Sequence, residues 1–95
     1  MNLKKLHEES SGVQAKTIFS ASEGKVISLQ ILKNNRLKEH ITKVPAMLLC
    51  ISGEAVYEDE NNTKISLISG DFTEIKPDVK HWVDGIENCN LLLIK

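Results

Sequence analysis

Apolar and polar positions alternate along most of the chain, and this period of two predicts β-strands. The clearest case is the segment KVISLQILK, in which Ile27, Leu29 and Ile31 share one face. The segment AMLLCIS at 46–52 is apolar on both faces, which is typical of a strand covered on both sides. Because 95 residues can build only one core, we expect the second cover to be another subunit.

Turn-forming glycine, asparagine and proline residues separate the remaining strands at short intervals. The predicted strands are 15–20, 25–33, 37–42, 46–52, 54–59, 63–69, 72–76, 81–83 and 90–95. Short strands joined by such turns predict an all-β antiparallel sandwich or barrel. We expect residues 15–95 to form this single domain and residues 1–14 to be a lead-in segment. That segment is compatible both with a helical turn bearing Leu3 and Leu6 and with a loosely docked chain.

Composition excludes several classes of partner. The formal net charge of -1 offers no electrostatic footprint for nucleic acid or an anionic membrane. The first residues, MNLKKLHEESSG, lack the apolar segment of a secretory signal, so we expect a cytoplasmic protein. Cys50 and Cys89 show no CxxC spacing, and in the reducing cytoplasm we expect both to be free thiols. We interpret the acidic residues 58–60 as a solvated hairpin tip rather than a calcium site.

Two sets of residues resemble the motifs of the cupins, small β-barrels of jelly-roll (double-stranded β-helix) topology. The first motif runs Gly, five residues, His-x-His, three or four residues, Glu, six residues, Gly. Its opening glycine falls on Asn34, its first histidine on His40 and its closing glycine on Gly53. The second motif runs Gly, five residues, Pro-x-Gly, two residues, His, three residues, Asn, and Gly70 and His81 match it. The resemblance covers essentially the whole predicted domain and implies a single jelly-roll barrel.

Besides Asn34 at the first glycine position, the chain departs from the two motifs at five positions. Thr42 occupies the second histidine position of the first motif, and Ala46 occupies the glutamate position. In the second motif Pro77 is displaced by one place, Asp78 replaces the glycine and Gly85 replaces the asparagine. The ligand set of the metal-binding cupins is therefore incomplete here.

The resemblance implies that any metal would bind at His40 and His81, the two ligand positions that remain. Zinc-like sites use three or four protein ligands, and two imidazoles leave no anionic ligand to neutralise the ion. We therefore expect no tightly held metal unless Glu74, Glu54 or Cys50 completes the site. Weak binding of a divalent ion at these two histidines remains an alternative.

The resemblance also implies a ligand pocket lined by His40, Thr42, Ala46, Leu48 and His81, with the two imidazoles facing each other across the lumen of the barrel. Three functions remain open. The first is a homodimeric barrel that binds a small organic ligand without a tightly held metal. The second is a metal-dependent enzyme similar to cupin dioxygenases and isomerases, with a third ligand from outside the motifs. The third is a structural or regulatory dimerisation module whose interior is filled by its own side chains.

Overall fold

The computed structural model describes residues 1–7 and 11–95, which form two antiparallel sheets packed face to face. A 3₁₀ helix at Leu3–Lys5 precedes the strands. The strands are β1 (Val13–Ala21), β2 (Gly24–Ile31), β3 (Arg36–His40), β4 (Ala46–Ser52), β5 (Ala55–Asp59), β6 (Lys64–Leu67), β7 (Phe72–Ile75), β8 (His81–Gly85) and β9 (Cys89–Ile94). One sheet has the order β1-β2-β9-β4-β7 and the other the order β3-β8-β5-β6. No helix in the described part of the chain is long and apolar enough to cross a membrane.

The predicted all-β barrel is confirmed, and β4 coincides with the predicted strand 46–52. The first strand begins at Val13, earlier than expected, because Val13 pairs with Ile31 and so extends the ladder between β1 and β2. All neighbouring strands in the two sheets pair in the antiparallel direction.

The core lies between the two sheets and is built from alternate residues of their facing strands. On β4 these residues are Ala46, Leu48 and Cys50, all nearly inaccessible to solvent. The full buried cluster comprises Leu29, Ile31, Ala46, Leu48, Cys50, Ala55, Tyr57, Leu67, Ile75, Val83, Cys89 and Leu91. Side chains of the protein itself therefore fill the middle of the barrel.

The N-terminal segment packs against its own chain. His7 is buried, and its Nε2 lies 2.8 Å from the hydroxyl of Ser28 on β2. The ammonium of Lys16 on β1 donates to the carbonyl oxygen of Leu6 at 2.6 Å. Since Ser28 alternates with the core residue Leu29, residues 1–7 lie on the outer face of the five-stranded sheet.

That outer face also carries polar residues such as Gln30, Asn90 and Glu74 and a set of apolar residues, which we call the outer apolar face. It consists of Phe19, Val26, Met47, Leu49, Phe72, Leu92 and Ile94. Strand pairing makes it continuous, because Ile94 pairs with both Val26 and Met47, and Leu49 pairs with both Leu92 and Phe72. Phe19 and Phe72 are 63% and 65% exposed. The other five residues of this face are half-buried.

Candidate ligand site at the histidine end of the barrel

His40 and His81 lie side by side on neighbouring strands. They are direct partners in the pairing of β3 with β8, and their ring centroids are 4.2 Å apart. The expectation that the two imidazoles face each other across the lumen is therefore wrong, since both belong to the four-stranded sheet. An irregularity in β3 between Leu37 and His40 brings the His40 side chain to the same face as His81. His81 is buried and His40 is half-buried.

Each imidazole is held by a backbone carbonyl two residues earlier in the chain. The Nδ1 of His40 lies 2.8 Å from the Lys38 oxygen, and that of His81 lies 3.0 Å from the Val79 oxygen. A carbonyl oxygen only accepts, so each Nδ1 carries the proton and donates it. In a neutral imidazole the other nitrogen, Nε2, is then an acceptor or a metal ligand. The pair thus presents two acceptor nitrogens at one place.

Burial lowers the pKa of His81. The hydrogen bond to Val79 raises the pKa, the nearby His40 lowers it, and the Asp59 carboxylate raises it again. Together these effects lower the pKa of His81 below its ordinary value of 6.5, so His81 is neutral at pH 7 and above. Its Nε2 therefore accepts rather than donates under those conditions.

Tyr57 and Asp59 complete the surroundings of His81. The Tyr57 ring stacks on the His81 ring with centroids 5.9 Å apart, and its hydroxyl donates to Asp59 Oδ2 at 3.1 Å. The other Asp59 oxygen accepts from the backbone nitrogens of Asn61 and Thr63. Residues 58–60 thus lie at the hairpin between β5 and β6, as expected, and Asp59 is half-buried and bonded rather than simply solvated. The signal that could have found this arrangement is the period-two spacing, which places residues 57 and 59 on one face of β5.

The hydrogen bond between Tyr57 and Asp59 affects both groups. Burial, together with the hydrogen bond to Asp59 and the negative charge of that residue, raises the pKa of Tyr57 to about 12. Burial raises the pKa of Asp59, but the hydrogen bonds that it accepts outweigh burial and lower the pKa overall. Tyr57 is thus a protonated donor and Asp59 a charged acceptor at neutral pH.

The other predicted pocket residues lie around this end of the barrel in different roles. Thr42 is buried, but its hydroxyl donates to the carbonyl oxygen of Val44 at 2.8 Å. The carbonyl of Thr42 accepts from the backbone nitrogen of Asp78, which joins the loop after β3 to the loop that precedes His81. Ala46 and Leu48 belong to the buried core. Both are almost inaccessible to solvent, so neither offers a surface to a ligand.

None of the three side chains considered as a third metal ligand lies with the histidine pair. Glu74 is exposed and lines the pocket beside Tyr57 and Asp59, but neither histidine lines that pocket. The carbonyl of Glu54 accepts from residues 86 and 87, at the opposite end of β8 from His81. Cys50 is buried in the core, and burial raises the pKa of its thiol. In residues 1–7 and 11–95 no group of three or more His, Cys, Asp or Glu side chains is placed to hold a metal ion. The donor set therefore does not fit the metal site that the resemblance implies.

Two concavities lie near the pair of histidines, but His81 lines neither of them. A pocket of about 260 Å³ lies beside Tyr57 and Asp59, next to Thr73 on β7. An open groove of about 480 Å³ lies beside His40 and is lined by residues 36–40 and Val13. The volume of the groove is in the range of small-molecule sites, whereas that of the pocket lies just below it.

Solved structures share this architecture over nearly the whole chain. A cupin superfamily protein from Desulfitobacterium hafniense gives a TM-score of 0.86 at 16% identity, over 98% of this chain and 84% of that one. An RmlC-like cupin family protein with a double-stranded β-helix fold, from Methanocaldococcus jannaschii, gives 0.78 at 12% identity, over 94% and 84%. The chain has the cupin fold. The jelly-roll topology inferred from the two incomplete motifs is thereby confirmed.

At these identities the likeness concerns the fold of the cupins and no activity. A protein of unknown function from Streptococcus pyogenes is similar to the same extent, with a TM-score of 0.83 at 16% identity over 99% of this chain and 82% of that one. No protein-family model and no curated protein matches the sequence. Function has to be argued from the residues of this cupin barrel.

Proposed function

We propose that this protein binds a small polar organic molecule at the histidine end of its cupin barrel, without a tightly held metal. One observation carries the proposal. His40 and His81 are in contact, and each is held through Nδ1 so that its Nε2 is free to accept. Two neighbouring acceptors of this kind need a donor, and a hydroxyl or amino group of a ligand supplies it.

The surroundings of the pair suit binding by hydrogen bonds. Tyr57 packs against His81 and fixes the ring plane, while Asp59 fixes the Tyr57 hydroxyl. The groove beside His40 includes the apolar residues Val13 and Leu37, so the ligand would present its polar edge to the imidazoles and its carbon skeleton to these side chains. This is the usual design of a small-molecule site, with few polar groups on an apolar lining. We assign no catalytic step to these residues.

The metal-dependent alternative has weaker support. Tight zinc-like sites use at least three protein ligands, and the imidazoles of His40 and His81 are two. The hydroxyl of Thr42 is already donated to Val44, and Ala46 offers only a methyl group. A divalent ion at this place would keep most of its coordination shell as water and bind weakly.

A direct experiment separates the two alternatives. We expect elemental analysis of the purified protein to find well under one equivalent of metal per chain. Small alcohols and amines should shift the imidazole Hε1 resonances of both His40 and His81 in NMR titrations, and His40→Ala should weaken these shifts. One equivalent of retained metal, lost in His40→Ala and His81→Ala but kept in His7→Ala, would replace this proposal with the metal-dependent one.

We further propose that a second copy of the chain covers the outer apolar face. The support is the character of β4, whose outward residues Met47 and Leu49 are apolar like its inward ones, and the exposure of Phe19 and Phe72 at the two margins. A face of this kind gains free energy when it is removed from water. A dimerisation module is the remaining functional alternative, and the filled core of the barrel supports it.

Light scattering during gel filtration tests the homodimer. We expect the mass of two chains for the native protein and of one chain for Leu49→Lys. Ile86→Lys is the control, because Ile86 is an exposed apolar residue that lies in the turn between β8 and β9 and not on the outer apolar face. A native monomer, or the same loss of mass in both variants, would refute the proposed interface.

A cytoplasmic location stays a prediction, which the free thiols of Cys50 and Cys89 support.

A further inference from the structure

The groove beside His40 lies along one side of the barrel, between the edge strands of the two sheets. Its lining consists of Val13 from β1 and residues 36–40 of β3, and each of these strands is the outermost of its sheet. The groove therefore follows the whole of β3, which extends about 13 Å from Arg36 to His40. A concavity of this shape suits an elongated ligand that reaches His40 with one end.

The walls of the groove are apolar and open to a ligand. Val13 and Leu37 are partly buried side chains that pack against the core from two different sheets. Because neither is fully buried and both line the groove, part of their surface faces it. A hydrocarbon chain placed between them would remove apolar surface from water and so gain free energy.

One end of the groove offers a hydrogen-bond acceptor. His40 is half-buried, and its Nδ1 donates to the Lys38 oxygen, so its Nε2 accepts. A hydroxyl group can donate to this nitrogen without bringing a charge into apolar surroundings, where a charge is costly. At the other end the Arg36 guanidinium donates to both oxygens of Asp84, at 2.6 and 3.0 Å, and is thereby already paired with a carboxylate.

We infer that the groove binds an alcohol with an aliphatic chain, whose hydroxyl donates to Nε2 of His40 while the chain lies between Val13 and Leu37. This inference names the class of ligand for the function proposed above and rests on that function, because the hydroxyl uses the same imidazole. It requires contact with the half-buried His40 and none with the buried His81.

Titrations of the protein with hexan-1-ol and ethanol, followed by ¹H–¹³C NMR, test the inference. Each added methylene should improve the affinity about twofold, half the effect of full burial because the groove is open, so hexan-1-ol should bind roughly tenfold or more tightly than ethanol. Hexan-1-ol should shift the methyl resonances of Val13 and Leu37 together with the Hε1 resonance of His40.

The outcomes distinguish this inference from the function on which it rests. Equal affinities of the two alcohols at His40 would overturn the inference and leave the proposed function standing. No shift of His40 with either alcohol would overturn both. Methyl shifts of equal size at Leu49, on the outer apolar face, would show unspecific apolar binding and would overturn the inference alone.

Three further probes of similar length test the choice of a hydroxyl group. Hexan-2-one has an acceptor but no donor, and we expect its affinity to be about fivefold lower than that of hexan-1-ol, the usual effect of losing one hydrogen bond. Hexanoate and hexylamine bring a charge and should also bind more weakly. Equal or tighter binding of any of the three would overturn the assignment of an alcohol.

Matched truncations test the apolar walls. Leu37 and Ile65 are both partly buried and pack against the same core, but Ile65 lies on β6, away from the groove. Leu37→Ala should lower the affinity for hexan-1-ol roughly fivefold and leave that for ethanol unchanged, whereas Ile65→Ala should change neither. Val13→Ala is a milder truncation of the opposite wall and should lower the hexan-1-ol affinity about threefold. Retained affinity in folded Leu37→Ala and Val13→Ala proteins, or an equal loss in Ile65→Ala, would refute the inference.

Discussion

The two glycines that close and open the cupin motifs offer a matched pair of substitutions. Gly53 and Gly70 both have a positive φ, +82° and +92° respectively, a backbone conformation that side chains disfavour. A Cβ at Gly70 would meet no atom within 4 Å. A Cβ at Gly53 would lie 2.7 Å from Cys89 Cα and closer still to the Asn88 carbonyl oxygen. These are backbone atoms of the turn before β9, so they cannot move aside cheaply.

The expected losses follow from these two environments. For Gly70→Ala, a left-handed conformation costs about 1–2 kcal/mol, partly offset by about 0.4–1 kcal/mol from the reduced freedom of the unfolded chain, which leaves a loss of about 1 kcal/mol. Gly53→Ala adds overpacking of about 1–3 kcal/mol, for a total of about 2–4 kcal/mol. The difference between the two losses of unfolding free energy measures the cost of placing a Cβ between Gly53 and the backbone at Asn88 and Cys89.

Urea unfolding followed by the fluorescence of Trp82, the single tryptophan, measures both free energies of unfolding. Gly53→Ala should shift the midpoint to clearly lower urea than Gly70→Ala. Equal losses in the two variants, or a greater loss at Gly70, would refute the reasoning. The result bears on function because Gly53 leads into β5, which carries Tyr57 and Asp59.

Three further outcomes test the surroundings of the site. Because burial lowers the pKa of His81, the unfolded chain binds more protons than the folded one below pH 6.5, so the free energy of unfolding should fall as the pH is lowered from there. His81→Asn should flatten this decline in pH-dependent urea unfolding, and the remaining slope includes His7, whose pKa is also lowered by burial. Tyr57→Phe should cost about 1–2 kcal/mol and raise the pKa of Asp59 in an NMR titration, because the carboxylate loses one donor; an unchanged pKa would refute the bond. Leu48→Ala should cost about 2–5 kcal/mol in urea unfolding, since Leu48 is 1% exposed, and a loss below 1 kcal/mol would contradict its place in the core.

The fold could be predicted because its determinants are local in the sequence. The alternation of residues 25–33 and the turn residues between strands indicate which faces of the strands are buried. Two departures from the motifs are also explained by local geometry. Asn34 and Asp78 stand at glycine positions and adopt φ values of +67° and +62°, which asparagine and aspartate tolerate better than most residues.

The details of the site could not be predicted, because they depend on pairing register and on contacts between distant segments. The position of His40 beside His81, rather than across the lumen, follows from an irregularity in β3 that no period-two pattern reveals. The hydrogen bond between Tyr57 and Asp59 follows from their spacing. The stacking of the Tyr57 ring on His81, however, requires the pairing of β5 with β8. The burial of His7 against Ser28 joins segments 21 positions apart and leaves no periodic signal.

The central claim is that both barrel histidines present an unprotonated Nε2 to a common place. Long-range ¹H–¹⁵N correlation spectra of the imidazoles at pH 7.5 test it most directly. The account predicts the Nδ1–H form for His40 and His81, with a nuclear Overhauser contact between the two rings. An Nε2–H form at either residue, or no contact between the rings, would contradict it.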